Sequence, residues 1–341
     1  MRYEVQKRLA TLFFISIFIS AFASILAYGL MHMNGVGRLS GWRWIFIIEG
    51  IITVVLGFIS YFVIIDFPDK ILQRRNGAFL TAQDVDILKA RIDRDRDDSA
   101  ADPVTGKKIV EHLRDFKLWV LFVLLLPHFS IGLSLTLRFG GCSALMLMGT
   151  ATPVYAFAYF TPQILHGMGF SSAMSQLLTA PPSVIAGIIA IGSAVLSDRL
   201  RMRGPIIVAQ NIATIVGLLV TAYTTNRGLR YFGIILGLSG AVSNASAVLA
   251  YQSNNIRMDS KRSVGSALQI GFGAIGGIIA STVFRDQDAP RYVNGIWATI
   301  GTQFFMIAAV AGMSLYFKTQ NLKQKEDGKI IEGHAAFQYT Y

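Results

Sequence analysis

The sequence is poor in charged residues and has a single cysteine, and each shortage excludes a class of protein. Only 15% of its 341 residues are charged and 53% are hydrophobic, so a water-soluble fold of this length would have too little polar surface. Because Cys142 stands alone, the chain has neither a disulfide framework nor a cysteine-based metal cluster. The first apolar run is too long for a signal peptide and lacks a small-residue cleavage site.

Motifs for catalysis are also missing from the sequence. It contains no G-x-S-x-G, H-E-x-x-H, P-loop or C-x-x-C motif, and its five histidines are scattered. We therefore expect no enzyme activity, no cofactor and no metal site. The net charge of +11 does not indicate a nucleic-acid partner, because the basic residues are dispersed in loops and not gathered on one face.

Long apolar runs fill most of the chain. Each has about 20 mostly uncharged residues, enough to cross a hydrocarbon layer of roughly 30 Å at about 1.5 Å per residue. The runs cover residues 9–33, 44–65, 174–196, 205–224, 231–250, 264–284 and 295–317, with a longer apolar stretch over 118–164. This pattern predicts an all-α, polytopic membrane helical bundle with about eight crossings.

Lysine and arginine are divided unevenly between alternate loops. One set of loops, together with both termini, carries twenty-four of the 31 basic residues, the other set carries six, and Arg138 is left over. Since cytoplasmic loops are enriched in Lys and Arg, both termini and residues 66–117 are predicted to be cytoplasmic. That orientation requires an even number of crossings.

The stretch 118–164 is too long for one crossing, although the orientation requires an odd number of crossings there. We expect one helix with a surplus segment near residues 130–148, where Arg138 and two glycines interrupt the apolar run. Without this surplus, residues 118–129 would join 149–164 as one tilted span. A translated intron would explain the surplus, and sequencing the transcript across the join would test that explanation.

Four segments are predicted along the chain: residues 1–65 with two helices, residues 66–117 as a charged cytoplasmic linker, residues 118–317 with six helices, and residues 318–341 as a cytoplasmic tail. The linker contains a polar helix from Thr81 to about Arg96. Thr81 and Asp84 resemble a capping box with a shorter acid at its start. Two plus six helices is an uneven division, since transporters are usually built from repeats of matching helix number.

Amides and tyrosines are the main polar groups inside the predicted helices. An amide can bind a polar solute in a central cavity, or it can simply hydrogen-bond one helix to another. Asn244 lies mid-span among small residues and is favoured for a cavity. Tyr155 and Tyr159, one helical turn apart, would form an aromatic wall there or else pack and anchor at the interface. The substrate-cavity candidates are Asn244, Tyr155, Tyr159, Gln176, Gln252 and Asn254.

Glu49 is the only acid inside a predicted membrane-spanning helix. A carboxylate in hydrocarbon is costly, so it should face protein or water and have a partner. One interpretation is a functional group that is coupled to a proton or to a substrate. The other is that it lies near the interface and caps a helix or pairs with Arg43.

Small and charged residues mark two further features of the sequence. Glycines at helical spacing predict faces where helices approach closely: Gly233, Gly237, Gly240, Gly273 and Gly277. In the loop that follows residue 196, Asp198 can accept a hydrogen bond from a neighbouring helix terminus. The arginines of this loop can bind acidic groups on the other side of the bundle. A conformational latch would consist of Gly192, Asp198, Arg199 and Arg203, with simple cytoplasmic anchoring of the arginines as the alternative.

The latch residues resemble the signature loop of the major facilitator superfamily, in the copy between its eighth and ninth helices. Residues 41–50 (GWRWIFIIEG), 155–159, 254–262 and 289–292 are similar to the fungal allantoate-permease-like anion:cation symporters. The resemblance implies proton-coupled uptake of a small organic anion or vitamin-like carboxylate by alternating access. The substrate, protons and the lipid bilayer would be the partners, and the plasma membrane the location.

By order of segments, the first crossing resembles the fifth helix of this twelve-helix family, so counterparts of helices one to four are missing. Ala274 also departs from the family, which often has Asn at that place. We therefore expect an N-terminally truncated chain, equivalent to helices 5–12, that does not transport by itself. The alternative is a non-transporting membrane protein or scaffold derived from such a carrier.

Overall fold

The computed structural model describes residues 5–64, 81–95, 105, 139–200, 202–288, 291–328, 330–331 and 337–340. Helices form nearly all of the regular structure there. They are α1 (Val5–Met31), α2 (Gly41–Val63), α3 (Ala82–Asp95), α4 (Phe139–Gly167), α5 (Ser172–Leu177), α6 (Ala180–Leu200), α7 (Gly204–Tyr223), α8 (Arg227–Asn255), α9 (Asp259–Val283) and α10 (Val293–Asp327). The all-α prediction is confirmed.

Seven helical spans in the described residues are long and apolar enough to cross a membrane, with α5 and α6 counted as one span over Ser172–Leu200. Each coincides with an apolar run of the sequence to within about five residues, apart from the end of α10. The span divides at Leu178 and Thr179. Pro181 and Pro182 follow in the first turn of α6, and neither has the backbone N–H that a continuous helix would use there. The remaining long helix, α4, has 29 residues and occupies the place predicted for the eighth crossing.

The start of α4 differs from the prediction. The helix begins at Phe139 and not at Gly149, and Met146 and Met148 are buried in the packing. Half of the segment predicted as surplus is therefore helical, and residues 118–138 lie outside the described part of the chain. The suggested insertion at 130–148 stays a prediction.

The end of α10 also differs from the prediction, because the helix continues to Asp327 instead of ending at residue 317. The polar residues from Lys318 onward are good helix formers. The helix stops at Gly328, which adopts a left-handed conformation with φ of 66°. The first part of the predicted tail is thus helical.

The chain divides into two compact units, residues 22–97 and residues 2–21 with 98–341. In the first unit, Asn34 Oδ1 accepts from Gly41 N at 3.0 Å, and Trp44 Nε1 donates to the Val36 carbonyl at 3.2 Å. These bonds close the connection between α1 and α2. Most apolar side chains of α2 are exposed.

The predicted capping box at the start of α3 is confirmed. Asp84 Oδ2 accepts from Thr81 N at 3.0 Å and from Thr81 Oγ1 at 2.6 Å, while Asp84 N donates back to Thr81 Oγ1 at 3.3 Å. The hydrogen bonds from the Thr81 hydroxyl and amide hold the pKa of Asp84 below its ordinary value. The helix bounds also match the prediction within a residue or two.

The second unit has an apolar core near each end of its helices. Phe160, Phe284 and Tyr292 belong to the core at the end where α4 finishes. Tyr251 and Phe317 belong to the core at the opposite end. The connection from α6 to α7 and the start of α9 lie at this opposite end and carry Arg199, Arg203, Arg257, Lys261 and Arg262, so we call it the basic end.

Glycines bring α7 and α8 into backbone contact. Gly217 of α7 lies against Gly233 and Gly237 of α8, and Gly240 lies against the Gln210 carbonyl. A side chain at any of these glycines would collide with backbone atoms or with a packed side chain. On the other side of the unit, Gly277 of α9 packs against α4. The predicted close-approach faces are confirmed, and α8 and α9 touch each other much less.

Candidate functional site

Two tyrosines form an exposed aromatic face on α4. The rings of Tyr155 and Tyr159 stack with their centroids 5.8 Å apart and an interplanar angle of 25°. Tyr155 rests on Gly277 of α9, where a Cβ would approach its ring to 3.0 Å. The rings remain 37% and 52% exposed, so their faces are open to contact from outside the unit.

A cavity of about 360 Å³ lies one turn beyond Tyr159 on the same helix face. It is lined by Pro162, Gln163, His166, Gly167, Ser172, Ser175, Gln176 and Tyr292. Tyr292 Oη donates to Gln163 Oε1 at 3.2 Å, which fixes the orientation of the amide. The buried Ser175 Oγ has no hydrogen-bond partner within the described structure. The predicted candidate Gln176 is therefore part of a real cavity.

The polar groups that line this cavity can both donate and accept hydrogen bonds. His166 Nδ1 lies 3.0 Å from the Phe170 carbonyl, which can only accept, so Nδ1 carries the hydrogen and Nε2 is left for other partners. Amide, hydroxyl and imidazole groups are the polar groups among the lining residues. The volume falls in the range of about 300–1,000 Å³ that is usual for small-molecule sites.

Asn244 lies elsewhere, in the contact between α7 and α8. It is fully buried, and its Nδ2 donates to Asn211 Oδ1 at 3.0 Å. Asn211 Nδ2 in turn donates to the Ile207 carbonyl at 2.7 Å. This geometry is the helix-tying role that the sequence left open, and the structure does not bring Asn244 to the cavity beside Gln176.

Gln252 and Asn254 are likewise inside the helix packing. Gln252 is fully buried, its amide lies against Gly265 of α9, and neither amide atom has a hydrogen-bond partner in the described residues. Asn254 is buried in the last turn of α8. Thus the six candidates do not form one cavity: two tyrosines and Gln176 share one face of the unit, and three amides lie between helices.

The predicted latch loop contains a buried charge cluster at the basic end. Arg203 Nη2 donates to Asp198 Oδ1 at 2.9 Å, and Arg203 Nη1 donates to Gln6 Oε1 at 3.0 Å. The other carboxylate oxygen, Asp198 Oδ2, accepts from Lys7 N at 3.1 Å in the first turn of α1. A carboxylate is favourable there because helix N-termini carry a partial positive charge.

The other two latch candidates stand outside this cluster. Arg199 is exposed, and Gly192 is exposed with open space where a Cβ would point. The structure contains the predicted hydrogen bond from a neighbouring helix terminus to the Asp198 carboxylate. A latch function for the four residues stays a prediction.

Glu49 is exposed on α2. The described residues contain no ion pair between Glu49 and Arg43; instead, the Arg43 guanidinium carbon lies 5.4 Å from the centroid of the Trp42 ring. The interpretation of a Glu49–Arg43 pair therefore finds no contact to support it. A role in coupling stays a prediction.

Sequence reasoning missed several cavity residues. Gln163 continues the face of Tyr155 and Tyr159 at intervals of four residues, which is a signal that could have identified it. Ser175 and Tyr292 are brought to the cavity by folding of distant segments, and no local pattern marks them.

The fold and these features define a class, the polytopic helical membrane protein. The Major Facilitator Superfamily matches residues 2–281, so the chain belongs to that family. It is 31% identical over 327 residues to an uncharacterized transporter of Schizosaccharomyces pombe, covering 95% of this chain and 59% of that protein. A major facilitator-type transporter of Emericella nidulans, hxnP, is 29% identical, with 97% of this chain and 62% of that protein covered.

The high-affinity nicotinic acid transporter of Saccharomyces cerevisiae is also similar, at 25% identity over 95% of this chain and 55% of that protein. The chain therefore spans less than two thirds of the length of these relatives. Its family and its apolar helices make it an integral, multi-pass membrane protein.

Proposed function

We propose that this chain forms part of a fungal secondary carrier that moves small organic anions across a membrane by alternating access. The observation that carries the proposal is the stacked Tyr155–Tyr159 face, which leads to a cavity with amide, hydroxyl and imidazole groups. A planar aromatic carboxylate can stack on tyrosine rings and accept hydrogen bonds from such groups. The relative named for nicotinic acid supports this class of solute.

The finer features of the proposal come from the sequence. Protons are the proposed coupling ion with Glu49 as contributor, and the subfamily is the allantoate-permease-like symporters. The plasma membrane is the proposed location, with both termini cytoplasmic. Protease access or glycosylation tags at Lys325 and in the Arg94 region should report the same side of the membrane, and opposite sides would refute the topology.

The charge cluster is the proposed conformational latch. Asp198 and Arg203 join the α6–α7 connection to the first turn of α1, so both must separate if these elements move apart. Gly192 and Arg199 complete the proposed latch from the sequence. Loss of Asp198 in a full-length relative should then change the rates of conformational exchange more than the affinity for solute.

A second candidate function is a membrane protein that binds solute or other chains without transporting. The two candidate functions share the same solute-binding site. They differ in whether the bound solute is carried across the membrane.

Binding of labelled nicotinate to the chain in lipid nanodiscs tests the shared site. We expect saturable binding that is lost in Tyr155→Ala/Tyr159→Ala, because about 1–3 kcal/mol of aromatic contact would be removed. Phe304→Ala is the matched control, since this aromatic side chain is 58% exposed on α10, away from the proposed site. Equal binding by the tyrosine variant and the control would refute the proposed site.

Uptake by cells that express the chain separates the two functions. Concentrative uptake that requires a proton gradient and weakens in Glu49→Gln supports a coupled carrier. Binding without uptake, even when a full-length relative transports in the same cells, supports the non-transporting candidate.

A further inference from the structure

Residues 337–340 lie between the ends of two helices at the basic end. The side chains of two asparagines hold them there by hydrogen bonds to the main chain. Asn321 of α10 donates from Nδ2 to the Tyr339 carbonyl at 2.9 Å and accepts Tyr339 N at Oδ1 at 3.0 Å. Asn255, the last residue of α8, donates from Nδ2 to the Thr340 carbonyl at 3.0 Å and accepts Thr340 N at Oδ1 at 2.7 Å. Each amide thus pairs with both main-chain groups of one residue.

The two asparagines hold opposite edges of the segment. In an extended chain, the N–H and C=O of one residue point to one side and those of the next residue point to the other. Tyr339 is paired with α10 and Thr340 with α8, so the segment is threaded between the helices. Pairing of this kind recognises the peptide backbone and tolerates any residue that has an N–H, which excludes only proline.

Aromatic packing holds the same segment from the side of the core. The Tyr339 ring stacks on Phe317 of α10, with centroids 4.6 Å apart and an angle of 24°, and Phe337 is 2% exposed. Phe317 in turn contacts Tyr251 of α8. The segment is therefore continuous with the apolar core of the basic end.

The segment supplies partners to both asparagines and helps to bury them. With the segment in place, Asn255 is fully buried and Asn321 is 8% exposed. Without it, both amides would lose their main-chain partners, and Asn255 Nδ2 would keep only the Tyr251 carbonyl at 2.9 Å. An apolar pair of side chains would serve simple packing better than two amides.

We propose that Asn255 and Asn321 form a main-chain clamp for residues 337–340, and that the clamped segment is a strap between the ends of α8 and α10. Ile256 directly follows Asn255, is 3% exposed and belongs to the same core, so it reports whether the end of α8 opens when the strap is released. Release of the strap precedes any separation of these two helix ends. This inference does not depend on the solute or on whether the chain transports.

Amide hydrogen exchange on the whole chain in nanodiscs tests the clamp. In Asn321→Leu, an isosteric apolar change, the Tyr339 amide should exchange roughly tenfold to a hundredfold faster, because two hydrogen bonds are lost. In Thr340→Pro, which lies outside every helix, the neighbouring amides should exchange faster as well. Thr340→Ala keeps both main-chain bonds and is the matched control, with exchange close to that of the unmodified chain.

Cysteine labelling tests the strap. With Cys142 replaced by alanine, a maleimide should modify Ile256→Cys slowly in the Thr340→Ala background and at least about tenfold faster in the Thr340→Pro background. Unchanged exchange in both clamp variants would overturn the clamp. Faster exchange with unchanged labelling would overturn the strap, because release of the segment would then leave the end of α8 closed.

Discussion

The charge cluster at the basic end allows one substitution to be analysed in detail. In Arg203→Leu, the guanidinium loses its bonds to Asp198 Oδ1 at 2.9 Å and to Gln6 Oε1 at 3.0 Å. Asp198 keeps only one of the protein contacts described above, the bond from Lys7 N at 3.1 Å. The Arg203 side chain is 2% exposed and that of Asp198 is 11% exposed, so little water can replace the lost donors.

The expected cost follows from these contacts. A hydrogen bond to a charged group contributes about 1.5–3 kcal/mol, and removal of one partner of a fully buried ion pair costs about 3–5 kcal/mol. Because Asp198 retains the Lys7 amide and some water, the lower part of this range applies. We expect Arg203→Leu to reduce the free energy of unfolding by about 2–4 kcal/mol.

Equilibrium unfolding in mixed detergent micelles measures this loss. Arg199→Leu is the matched control, because it removes the same charge from an exposed position of the same loop and should cost under about 0.5 kcal/mol. A double-mutant cycle with Asp198→Asn should give a coupling of at least about 1 kcal/mol. The reasoning is wrong if Arg203→Leu and Arg199→Leu have equal stability, or if the coupling is zero.

Two further predictions concern helix contact and capping. Gly240→Val should destabilise the chain by about 1–3 kcal/mol in the same unfolding assay, because the side chain meets the Gln210 carbonyl. Gly192→Ala points into open space within α6 and should instead stabilise the chain by up to about 1 kcal/mol. An unaffected Gly240→Val would refute the tight contact. The pKa of Asp84 is lowered in the folded chain. The hydrogen bonds of the cap are therefore complete above about pH 4 and are lost as the pH falls through the folded-state pKa. Amide exchange at the start of α3 would show this loss. Thr81→Ala should raise that pKa in a carboxyl NMR titration, and an unchanged pKa would contradict the assignment.

The membrane spans could be predicted from the sequence because lipid imposes a strong and local rule. A segment near Phe232 or Ile278 must be apolar over about 20 residues to cross, whatever it packs against. The capping box of Thr81 and Asp84 is also local, so its two residues suffice to identify it. Glycine spacing on α8 predicted close packing because only small residues allow it.

The functions of individual amides could not be predicted in this way. Asn244, Gln252 and Asn255 occur within three turns of one helix, and they face a neighbouring asparagine, a glycine and a distant peptide segment, respectively. Helical periodicity gives the direction of a side chain and not the identity of its partner. The main-chain partner of Asn255 is Thr340, 85 residues away in the chain, so folding alone reveals it.

The backbone contact between α7 and α8 has a mechanical consequence. With Gly217 pressed against Gly233 and Gly237, neither helix can roll or slide without driving main-chain atoms into each other. We therefore expect α7 and α8 to move together as one rigid pair. A change in helix packing is then easier between α8 and α9, which have few contacts with each other. The amide of Gln252 lies against Gly265 there.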